Sequence, residues 1–99
     1  MGRLAFSPPV ADFARQGFPL LGGRLDYVGT RQVAVLVYGH VKHIIDVFVW
    51  PARGDAAPRT VFDHGYRIVS WTQAGFRFHA VSDVDPAALR AFVGLWRRG

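Results

Sequence analysis

The chain has 99 residues, enough for one domain with a single core. Half of it (51%) is hydrophobic and 19% is charged, so a folded domain is expected. It contains no cysteine, so disulfide frameworks, thiolate zinc sites, iron–sulfur clusters and cysteine nucleophiles are excluded. Net charge is +5, carried by eleven arginines and Lys42 against seven aspartates, with no glutamate. A basic chain of this kind raises nucleic acid or an anionic membrane as partners. The arginines, however, are spread singly along the sequence apart from Arg97-Arg98, which reads as scattered solvated charge.

Ser7-Pro8-Pro9 followed by Val10, Phe13 and Ala14 and closed by Gly17 predicts a short N-terminal helix. From Leu20 to Val28 the chain has strand character, and Gly22-Gly23 predicts a bulge or bend within it. Gly29-Thr30 is a turn. Gln32 to Tyr38 is a near-continuous β-branched run, as expected of an interior strand buried on both faces. Gly39 to Lys42 turns the chain. His43 to Trp50 is the next strand, with Ile45, Val47 and Val49 on one face and Ile44, Asp46, Phe48 and Trp50 on the other.

Residues 52–63 read as a long loop, since Ala, Arg, Gly, Asp and Pro dominate them. Two more strands, Tyr66 to Thr72 and Phe76 to Val81, flank a hairpin loop containing Gly75. At the end, Asp85 is an N-cap, Pro86 is the first helical residue, and Leu89, Phe92, Val93 and Trp96 recur at helical spacing. The expected fold is one α+β domain over residues 1–99. It has a five-stranded antiparallel meander sheet, a short N-terminal helix and a C-terminal amphipathic helix. No apolar run approaches the roughly 20 residues of a membrane span, and no signal peptide opens the chain.

No constellation for catalysis is found. His40, His43 and Asp46 lie at a turn and a strand start rather than at metal-ligand spacing. Asp63-His64 has no nucleophile on a strained turn, and Ser70 lies within a strand. No phosphate-binding glycine loop is present. No catalytic residue, metal ligand or cofactor site is assigned. The candidate partner or ligand surface is instead aromatic. Phe48 and Trp50 share a strand face with Asp46, and Trp71 on another strand is expected to oppose them. Aromatics interleaved with arginines at Tyr66, Arg67, Trp71, Phe76, Arg77 and Phe78 keep a soluble basic nucleic-acid-binding module as the alternative.

Five blocks in one order resemble a known family. Residues 17–27 (GFPLLGGRLDY) look like its G-[FY]-P-L-x-G-G-R-L-D-Y motif, and residues 33–38 (VAVLVY) like V-A-x-L-V-Y. Residues 42–51 (KHIIDVFVWP) match K-H-x-I-[ND]-x-F-V-W-P, residues 65–72 (GYRIVSWT) match G-Y-x-[IVL]-x-x-W-T, and residues 80–84 (AVSDV) match A-V-S-D-[LV]. Upstream, residues 2–10 (GRLAFSPPV) resemble G-[KR]-L-x-[FY]-x-P-P-V. These are motifs of the transmembrane anti-sigma factors of proteobacteria, and the chain is similar to their extracytoplasmic C-terminal domain.

The resemblance implies a non-catalytic sensor on the periplasmic side of the inner membrane, bound by a periplasmic protein or ligand not identified by sequence. It implies contact with a sigma factor only through a cytoplasmic zinc-binding domain, whose H-x-x-x-C-x-x-C element this chain lacks. No direct nucleic-acid binding is implied. A homodimer is compatible with an exposed edge strand. The chain departs from the family at Gly39-His40-Val41, where many members have a more basic turn, and at Asp46, where Asn is commoner.

Overall fold

A computed structural model describes residues 4–98, so Gly2 and Arg3 of the opening block lie outside the described residues. The structure is a six-stranded antiparallel sheet with one C-terminal helix. The strands are β1 (Leu20–Val28), β2 (Arg31–His40), β3 (His43–Pro51), β4 (Ala56–Asp63), β5 (Tyr66–Gln73) and β6 (Phe76–Ser82), followed by α1 (Pro86–Arg98). Their spatial order is β1-β2-β3-β6-β5-β4. The sheet is therefore two three-stranded meanders joined where β3 pairs with β6, rather than one five-stranded meander.

The additional strand, β4, occupies most of the segment read from sequence as a loop. It pairs only with β5 and lies at the sheet edge, so nearly all its side chains are exposed and it carries no apolar alternation. Pro58 falls where the register shifts between Ala56 and Arg59, a position that tolerates proline because the outer edge needs no donor. Both hairpins of this meander turn on two left-handed residues. These are His64 and Gly65 (φ 50° and 84°) and Ala74 and Gly75 (φ 51° and 87°), as in type I′ turns. The connection from β3 is pinned where the Ala52 N–H donates to the Gly75 carbonyl at 2.9 Å.

The expected N-terminal helix is reduced to a single 3-10 turn, Ala14–Gln16. Asp12 explains this. Its Oδ1 accepts hydrogen bonds from the backbone N–H groups of Ala14 (3.0 Å) and Leu20 (3.1 Å), competing with helical pairing. Gly17, at φ 92°, then reverses the chain, and Phe13 bridges back to Phe18. A helix this short has little intrinsic stability to oppose such local bonds.

Side-chain parity gives the sheet two different faces. The inner face carries Ala34, Leu36, Tyr38, Ile45, Val47, Val49, Val69, Trp71, Phe78 and Ala80, packed beneath Leu89, Phe92, Val93 and Trp96 of α1. The N-terminal segment closes the rest of this face. Phe13 lies against Tyr38, Phe92 and Trp96, and the Tyr38 hydroxyl donates to the Ala11 carbonyl at 2.6 Å. Burial of that phenol pushes its pKa well above the ordinary range. Ser82 ties the sheet to the helix approach: its hydroxyl donates to the Ile44 carbonyl (2.7 Å) and accepts from the Val84 N–H (3.0 Å). Asp85 caps α1 through the Ala88 N–H at 3.2 Å, as expected from sequence. Among the described residues no helix is long and apolar enough to cross a membrane.

Candidate functional site

Among the described residues no helix lies over the outer face of the sheet. Cross-strand register lays down two rows of side chains there. One runs Arg24, Val35, Phe48, His79, Ser70, Arg59, and the next runs Val37, Asp46, Val81, Ile68, Val61. Val33 and Val35 have no exposed surface although they lie outside the main core cluster. The centre of this face is thus a second, thinner apolar layer. Half-buried Phe48, Trp50, Ile68, His79 and Val81 form its surface.

Two contiguous depressions share Phe48 and Val81. The first, about 320 Å³, is lined by Phe48, Trp50, His79 and Arg31 together with smaller apolar side chains. The second, about 560 Å³, is lined by Phe48 and by Lys42, His43, Asp46, Tyr66 and Asp83. Together they make one groove with an aromatic floor. Arg31 marks one end, and a mixed polar cluster marks the other.

The geometry at the Arg31 end is well defined. The guanidinium lies 5.2 Å from the centroid of the Trp50 ring, a cation–π arrangement. His79 meets Trp50 edge to face at 4.7 Å. Burial, followed by the charges of Arg77 and Arg31, lowers the His79 pKa below its ordinary value. The ring is therefore neutral at pH 7, offering one N–H donor and one acceptor to an occupant. At the far end, His43 Nδ1 lies 3.0 Å from Asp83 Oδ1, with both side chains about half exposed. A His–Asp pair can orient an imidazole, but the groove lining contains no serine or threonine hydroxyl for it to activate. Among the described residues no three metal-ligating side chains converge. The arrangement can hold an elongated molecule: aromatic contact in the middle, a cation at one end and side chains of both charge signs at the other.

Of the three residues singled out by sequence, the structure brings two together. Phe48 and Trp50 lie on the groove floor. Trp71 does not oppose them, because β5 presents it to the inner face. There it has no exposed surface and stacks on Phe78 at 4.9 Å with an interplanar angle of 3°. Its Nε1 donates to Gln73 Oε1 (3.1 Å), and Gln73 Nε2 donates to the Trp96 carbonyl (3.0 Å). Trp71 is a core residue that couples β5 to α1. Sequence reasoning missed Arg31 and His79. The signal for His79 was available, since it is a histidine flanked by inward-facing Phe78 and Ala80 and must point outward beside Phe48.

Set against known families, curated proteins and solved structures, the chain finds no match.

Proposed function

We propose that this chain is a non-catalytic regulatory domain of the transmembrane anti-sigma type, reading an extracytoplasmic signal on the open face of its sheet. The observation that carries the reading is the groove floor itself. Phe48 and Trp50, aromatic and partly buried on a face that no helix covers among the described residues, lie in the K-H-I-I-D-V-F-V-W-P segment that forms β3. Four further resembling blocks fall on β1, β2, β5 and β6, the other strands of its sheet apart from β4. An occupant favouring one conformation or association state of the domain would shift the equilibrium passed to a membrane helix.

The experiment is to read the genomic DNA upstream of the Met1 codon. An open frame continuing into roughly 20 apolar codons, preceded by a Cys/His zinc element, supports the reading. An in-frame stop codon directly upstream refutes it. The alternative, a soluble nucleic-acid-binding module, draws on the Arg31–Trp50 pair and on the net charge of +5. It requires oligonucleotide binding that weakens steeply with salt. Fluorescence anisotropy with labelled single strands separates the two.

A further inference from the structure

Three arginines of α1, Arg90, Arg97 and Arg98, meet Arg67 of β5 on the inner side of the sheet, away from the groove just described. The helix α1 covers the inner faces of the central strands but stops short of β4, whose side chains are almost all exposed. Between the flank of α1 and β4 runs a trough of two contiguous parts, about 650 and 190 Å³, which share Thr60, Val69 and Arg90. Arg97 and Arg98 line one end and Arg67 the other, and among the described residues no carboxylate lines either part. Arg90, Arg97 and Arg98 are exposed and form no ion pair among the described residues.

Beside the trough lies a free strand edge. The type I′ turn at His64-Gly65 makes Asp63 and Tyr66 a hydrogen-bonded pair. Pairs alternate along an antiparallel ladder, so Val61 and Arg59 also bond to β5. The backbone N–H and C=O groups of Thr60 and Phe62 therefore point away from the sheet. Phe62 keeps 64% of its surface exposed, with the Arg67 guanidinium 5.2 Å from its ring centroid. An unpaired edge is a template for another extended chain. Both edge strands carry a register irregularity, β1 between Leu20 and Gly22 and β4 between Ala56 and Arg59, but their charges differ: Arg24 on β1 pairs with Asp26 at 3.7 Å, whereas the trough beside β4 keeps its arginines free of such pairs among the described residues.

We infer that the β4 edge and the arginine trough form a docking site for an extended acidic segment of a partner protein. The segment adds as a seventh strand beside Thr60 and Phe62. Its alternate carboxylate side chains reach back over β4 to Arg90, Arg97 and Arg98. The inference is independent of the outer-face reading, because it uses the other face and other residues.

The test uses the 99-residue chain and fluorescein-labelled ten-residue peptides of alternating Glu and Val, followed by anisotropy at low salt. A matching Lys–Val peptide is the charge control, and a Glu–Val peptide N-methylated at alternate residues is the strand-pairing control. The Glu–Val peptide binds, and R90A/R97A weakens it about tenfold, the loss of two partly exposed ion pairs. N-methylation abolishes binding without any change to the protein, so the result does not depend on a variant's folding. No binding of the Glu–Val peptide overturns the inference, as does equal binding of the Lys–Val or N-methylated peptide. Phosphatidylglycerol vesicles or a single-stranded oligonucleotide retained by Arg90 and Arg97, with the peptide ignored, would also overturn it and assign the trough to that other partner.

Discussion

Phenylalanine at position 71 and phenylalanine at position 50 make the same chemical change on opposite faces of one sheet, and the structure predicts very different costs. Trp71 is fully buried, stacked on Phe78, and hydrogen-bonded to Gln73, which in turn holds the Trp96 carbonyl. Trp71→Phe removes part of the ring from a packed layer, worth about 1 to 1.5 kcal/mol at roughly 25 cal/mol per Å². It also leaves the Gln73 carbonyl oxygen without its donor, worth about another 1 kcal/mol. The total, about 2 to 3 kcal/mol, lowers Tm by roughly 10–20 °C in a domain of this size. Trp50 is only partly buried and its ring contacts Arg31 and His79 on the outer face. Trp50→Phe costs under about 1 kcal/mol. Urea unfolding followed by far-UV circular dichroism compares the two directly. Equal losses within 1 kcal/mol would refute the assignment of Trp71 to the core and of Trp50 to the groove.

The tip of the β2–β3 hairpin is strained: Val41, a β-branched residue 89% exposed, is held at φ 54°. Val41→Gly relieves about 1 kcal/mol and raises Tm by several degrees; an unchanged or lower Tm would contradict the left-handed assignment. Ser82→Ala strips an acceptor from the Val84 N–H and a donor from the Ile44 carbonyl, costing about 2 kcal/mol in urea unfolding. His79 makes stability depend on pH. Its folded-state pKa lies below the ordinary 6.5, so beneath pH 6.5 the unfolded chain binds more protons than the folded one. Stability therefore falls as pH drops from 6.5 toward the folded value and levels off beneath it. Urea midpoints measured between pH 7.5 and 5 show this decline, and His79→Gln flattens the part of it that His79 carries.

Much of the fold is legible in the residues, and the places where it is not have physical causes. The alternation of β3 and the β-branched run of β2 place Phe48 and Trp50 on one face without any structure. Asp85-Pro86 and the spacing from Leu89 to Trp96 likewise mark α1. By contrast, β4 is an edge strand with both faces wet, so burial imposes no pattern on it, and Pro58 argues against a strand until the edge position is known. Val10, Phe13 and Ala14 suggest a helical stripe, but Asp12 takes the N–H groups of Ala14 and Leu20. Parity fails to place Trp71, because β5 has an apolar residue on each face, Ile68 outward and Val69 inward. Only the partnership with Phe78 on β6 settles it. The arginine trough is invisible in sequence, since Arg67 and Arg90 are brought together by the packing of α1 over the sheet.

The most direct test of the central claim is a sigma-dependent transcription reporter. It carries the complete reading frame that contains this chain, with Phe48 and Trp50 each replaced by alanine. Melting curves of the 99-residue variants accompany it to establish that the fold persists. A signal-reading open face requires folded variants whose reporter output no longer responds to the inducing condition, fixed either on or off. A wild-type response from both folded variants would contradict the assignment of the open sheet face as the signal-reading surface.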